Sequence, residues 1–83
     1  MKTLIQKVKE ELKKINLEAE LVKECNDKFI IKILEDNKIV LKSWEVQKCL
    51  QWNKVDSFVK MTRKQVDDIK KMIAMGVLND ETR

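Results

Sequence analysis

The apolar residues change their period at Asn16, and that change dictates what this chain can fold into. Before Asn16, Leu4, Ile5, Val8, Leu12 and Ile15 recur at three- and four-residue spacing, with Lys, Gln and Glu between them. That spacing predicts an amphipathic helix over 3–15, stopped by Asn16. After Asn16 the pattern alternates. Leu17, Ala19 and Leu21 face one way, and Glu18, Glu20 and Val22 the other, which predicts a half-buried strand over 17–25. A helical period followed at once by a strand period points to an α+β domain.

The rest of the chain extends this plan. Asn26-Asp27 reads as a turn, 28–35 as a second strand rich in β-branched and aromatic residues, Asp36-Asn37 as a second turn and 38–42 as a third strand. Two short loops imply two hairpins, hence a three-stranded antiparallel meander packed by helices. Ser43 is placed to cap a short helix running to residue 52. Residues 53–61 give no clear pattern. Thr62 and Gln65 have the spacing of a capping box and predict a last helix over 63–75, closed by Gly76. The expected order is α-β-β-β-α-α, with a frayed tail at 79–83.

With 83 residues, no proline, one glycine and no linker or repeat, 1–83 reads as one domain. A chain this short buries roughly 60–65% of its unfolded surface, so its core is thin. On the sheet, Phe29, Ile31, Ile33, Ile39 and Leu41 are expected on one face with Leu17, Ala19 and Leu21. The other face carries Val22, Ile30, Leu34 and Val40 among lysines, which is too apolar for a wet face and predicts cover by a helix.

Several chemistries lack their residues. There is no histidine, which removes Ser-His and Cys-His nucleophile pairs and the common zinc ligand sets. One glycine cannot build a G-x-G-x-x-G or P-loop. The adjacent carboxylates Glu35-Asp36, Asp67-Asp68 and Asp80-Glu81 do not face each other on helix or strand. The expectation is a protein that binds rather than catalyses, with no cofactor and no metal. Cys25 and Cys49 stand outside any CxxC pair and read as small buried hydrophobes in a reducing compartment. The charged start of the chain has no signal-peptide core, so a cytoplasmic location is expected.

The stretch 43–64 carries both tryptophans and a net charge of +3. Coiled as a helix, 44–52 gathers Val46, Cys49 and Leu50 on one side and Trp44, Lys48 and Trp52 on the other. Trp44, Lys48 and Trp52, with Phe58, therefore form a candidate surface for docking onto another protein, since tryptophan is a favoured interface anchor. The Lys-, Ile- and Asn-rich, glycine-poor composition resembles that of short reading frames in AT-rich bacteria and their phages. It suggests a mobile-element inhibitor of a host machine, of the anti-CRISPR kind.

An alternative partner is RNA or DNA, held by Lys48, Lys54, Lys60, Arg63 and Lys64 with tryptophan stacking on bases. The order helix, three strands, helix resembles the double-stranded-RNA-binding domain, whose last helix grips phosphates with its basic start. Thr62-Arg63-Lys64 stands at the corresponding place. Asp67 and Asp68, the long strand-to-helix connection and the lack of glycine-containing loops depart from that pattern. A further alternative is a homodimer built on the second sheet face.

Overall fold

The computed structural model describes residues 2–76. Helix α1 spans Leu4–Lys13, strands β1 Glu18–Glu24, β2 Lys28–Glu35 and β3 Lys38–Gln47, and helix α2 Val55–Ala74, after a single 3-10 turn at Trp52–Lys54. This is the expected α+β class, with an antiparallel meander in the order β1-β2-β3.

Local signals explain most of the boundaries. Thr3 and Gln6 form a reciprocal capping box at the start of α1. The Gln6 N–H donates to Thr3 Oγ1 at 3.2 Å, and the Thr3 N–H donates to Gln6 Oε1 at 2.8 Å. At the other end Asn16 adopts a left-handed φ of 64°. Asn16 N–H reaches the Lys13 carbonyl, and Leu17 N–H the Leu12 carbonyl. This is a Schellman closure, and its hydrophobic contact is between two fully buried leucines, Leu12 and Leu17. Asp36 and Asn37 both have positive φ, as a two-residue type I′ hairpin requires. Gly76, at φ 77°, follows the last helix as expected.

Two boundaries differ from the sequence expectation. No helix forms at 43–52. Instead β3 continues to Gln47, pairing Trp44 with Ile31, Glu45 with Ile30, Val46 with Phe29 and Gln47 with Lys28. The physical reason lies in β2, whose first half would lose its outer ladder if β3 stopped at Lys42. The last helix also begins eight residues earlier than expected. Val55, Phe58, Val59, Thr62 and Val66 are buried at helical spacing, and Thr62 sits in mid-helix rather than at a cap.

Both helices cover the same sheet face. Val8 and Leu12 of α1 and Val55, Phe58, Val59 and Val66 of α2 form one core with Leu17, Ile31, Ile33, Leu41 and Val46. The second face is therefore not covered by a helix. Ile30 and Leu34 are sheltered because β2 is the central strand, with side chains from both neighbours beside them. Lys32 pairs with Glu20 and Lys28 with Glu45 across this face, each at 3.4 Å. Lysine stems cover apolar surface while their ammonium groups stay in water, so a mixed face can remain wet. Ile39, expected inward, is 49% exposed because the ladder irregularity between Ile33 and Leu34 pairs it with Leu34 on this side. Leu21 is likewise exposed, at the β1 edge.

Among the described residues, no helix is long and apolar enough to cross a membrane.

Candidate functional site: an apolar groove beside the β3 edge

In a strand, alternate side chains share a face, so Trp44 and Val46 both point toward the helices. A helix at 44–52 would have separated them. Val46 is fully buried, while the larger Trp44 is only partly covered. Its indole Nε1 donates to Thr62 Oγ1 at 2.9 Å, and that hydroxyl donates to the Phe58 carbonyl, also at 2.9 Å. Thr62 thus serves as acceptor for the indole and donor to the helix, and no buried side-chain polar atom among the described residues is left without a partner. The chain of bonds fixes the indole against α2.

Outside this contact, β3 and the first half of α2 diverge. An open groove of about 780 Å³ lies between them. Trp44, Leu50, Phe58 and Met61 supply its apolar surface, and Glu45, Gln47, Lys54 and Ser57 its polar margin. Met61 is 54% exposed, a large apolar side chain in water at the rim. Cys49 also lines the groove and is exposed, so it is not the buried hydrophobe its spacing suggested. Cys25 is partly buried, and both cysteines are free thiols.

The structure unites only part of the expected surface. Trp44 and Phe58 meet in the groove. Trp52 does not: it lies on the α1 side of the 3-10 turn, 49% exposed, with Lys7 Nζ 5.7 Å from its ring centroid. Lys48 is also elsewhere. It pairs with Glu24 at 2.7 Å and stands over the Phe29 ring. Leu50, expected on the side away from Trp44, lines the groove with it, and Ser57 and Met61 were not singled out by sequence. Two signals point to them: the strict alternation Ser43-Trp44-Glu45-Val46-Gln47, which marks a strand, and the helical spacing of Lys54, Ser57, Phe58 and Met61.

The basic residues are also dispersed. Arg63 is occupied within the molecule. Its Nη2 and Nε donate to Asp67 Oδ1 at 2.6 and 3.2 Å, and its Nη1 donates to Glu35 Oε2 at 3.1 Å and the Ile15 carbonyl at 3.3 Å. Lys70 completes the cluster on Glu35 Oε1 at 2.7 Å. The hydrogen bond from Lys70, together with Arg63, holds the Glu35 carboxyl below its ordinary range. Arg63 does the same for Asp67, and Arg63 itself is held above its usual value by Asp67 and Glu35. Lys60 pairs with Asp56. Of the five residues proposed to contact nucleic acid, Lys54 and Lys64 are the two without an ion-pair partner among the described residues.

No cluster of three or more metal-ligating side chains occurs among the described residues. No known protein family, curated protein or solved structure gives a match to this chain.

Proposed function

We propose that this chain is a protein-binding module that engages a partner through the groove between β3 and α2. The observation that carries the proposal is the groove itself, with Trp44, Leu50, Phe58 and Met61 contributing its apolar surface and Met61 exposed at its rim. An apolar cluster with a polar margin is the usual anatomy of a binding patch. Nucleic-acid binding has less support, because Arg63 is held by Glu35 and Asp67, and Lys48 and Lys60 by other carboxylates. A homodimer through the second sheet face also has less support, because ion pairs lie across that face. The inhibitor form of the proposal, a small mobile-element chain covering part of a host machine, is supported by compositional likeness alone.

The test compares two variants of the immobilised chain in lysate of the cell in which it acts. Met61→Asp places a charge in the groove, and Lys32→Glu changes the second sheet face. Met61 is exposed, so Met61→Asp should keep the wild-type melting temperature, whereas Lys32→Glu sets a second carboxylate opposite Glu20 and should lower it modestly while the chain still folds. The expected result is a partner retained by wild type and Lys32→Glu and lost with Met61→Asp. Retention by Met61→Asp with loss in Lys32→Glu would move the site to the open face. A duplex or single-stranded probe that binds at low salt and weakens with Lys64→Ala would favour the nucleic-acid alternative.

A further inference from the structure

An edge strand carries a row of backbone N–H and C=O groups with no partner on its outer side, and proteins normally blunt such edges with charges, bulges and irregular pairing. The two edges of this sheet are blunted unequally. Along β1, Glu18, Glu20, Lys23 and Glu24 alternate with or follow the smaller apolar residues, and the ladder slips at Val22. The first half of β3 carries Lys38 and Lys42, and its pairing with β2 slips twice before Trp44. From Trp44 to Gln47 the ladder does not slip, and the one charge, Glu45, is paired inward with Lys28 on the neighbouring strand. Four consecutive residues pair regularly with Ile31, Ile30, Phe29 and Lys28, with no lysine among them. This is also the stretch that borders the groove.

We infer that the groove's occupant is an extended segment of a partner protein, added as a fourth strand along Ser43–Gln47. This inference rests on the proposed use of the groove and names the form its ligand takes. A guest strand places residues opposite Trp44 and Val46 on the helix side of the sheet, where they enter the space bounded by Phe58, Leu50 and Met61. The residues between them stay on the wet face beside Glu45. The backbone supplies affinity, and the alternate side chains supply selectivity. The guest therefore carries two apolar residues spaced i, i+2.

Charge adds one more requirement. Glu45 is already paired with Lys28, whereas Lys54 lines the groove with no ion-pair partner among the described residues. A carboxylate flanking the apolar pair complements Lys54. A second copy of this chain fits less well, because two-fold pairing centred on Glu45 would oppose two carboxylates, which is destabilising.

The experiment uses the full chain and a displayed library of random ten-residue peptides. The expected enrichment is an apolar-x-apolar pattern with a flanking Asp or Glu. Synthesised, the enriched peptide should shift the backbone amide resonances of residues 43–47 and leave those of 18–24 in place. N-methylation of one strand-pairing amide of the peptide should weaken binding about tenfold, the equivalent of one hydrogen bond. Lys54→Glu should weaken it several-fold, and Met61→Asp should abolish it. No enrichment would overturn the inference. So would peptides with apolar residues at three- and four-residue spacing that tolerate N-methylation, since these would enter as helices. Sedimentation showing a dimer that protects 43–47 would overturn it in favour of a second copy. If a lysate partner depends on Met61 but is not displaced by the strand peptide, strand addition fails while the groove remains the binding site. Loss of both results removes both proposals.

Discussion

The two halves of α2 meet the rest of the protein in opposite ways. The first half faces β3 across an apolar groove that stays open, with Met61 in water and Trp44 only partly covered. The middle and later part, from Arg63 to Lys70, is tied down by charge. Arg63 and Lys70 hold Glu35 at the end of β2, and Arg63 also holds the Ile15 carbonyl beyond α1. One region leaves its apolar surface open, while in the other Arg63, Asp67 and Lys70 find their charge partners within the chain. The lesson is that a basic residue in the sequence is not the same as a basic surface. An aromatic residue that belongs to the core can still present one side outward.

The largest expected effect would break this contrast at its hinge. Phe58 is 92% buried, lines the groove and accepts the Thr62 hydroxyl through its carbonyl. Phe58→Ala should destabilise the fold by about 3 kcal/mol, read as a lower urea midpoint at unchanged slope. A loss below about 1 kcal/mol would mean that the ring belongs to the groove and not to the core.

Next in size is the charged end. The Glu35 side chain is 14% exposed and receives bonds from both Arg63 and Lys70. Arg63→Ala should cost about 2 kcal/mol near neutral pH, a typical value for hydrogen bonds to charged groups. Its pH dependence sharpens the assignment. Glu35 and Asp67 have lowered pKa values in the folded state, so the stability they contribute is present above the ordinary carboxylate range and is lost as pH falls through and below it. Wild type should therefore lose stability in acid faster than Arg63→Ala, and the two unfolding curves should converge as the carboxylates protonate. Parallel curves would show that the cluster adds no pH-linked stability.

The smallest effect concerns the contact between β3 and α2. Trp44→Phe removes the Nε1 donor but keeps most of the ring, and the Thr62 hydroxyl can still donate to Phe58. A loss of about 1 kcal/mol is expected, measured by chemical denaturation. No measurable loss would mean that the indole is held by packing alone.

The fold was legible where local chemistry and periodicity agreed. The period change at Asn16, the left-handed Asn16, Asp36 and Asn37, and the closing Gly76 are all properties of a few adjacent residues. The candidate site was less legible because it depends on which period governs 43–62. Ser43 resembles an N-cap and Thr62 resembles another, yet neither caps a helix here. The expected helix put Val46 and Trp44 on opposite sides, and the strand that forms instead puts them on one. Trp52 is separated from Trp44 because the chain turns away at Trp52–Lys54, beyond the end of β3.

The sequence by itself determined the α+β class, the antiparallel meander, the thin single core and the absence of histidine and glycine-loop chemistry. These depend on composition and on contacts between near neighbours. Only the tertiary structure decided that β3 runs to Gln47, that both helices cover one face and that Arg63 is an internal clamp. The reason is that backbone pairing and charge partners lie far away in sequence: Lys28 must find Gln47, and Arg63 must find Glu35. A local pattern cannot encode a partner that another element supplies.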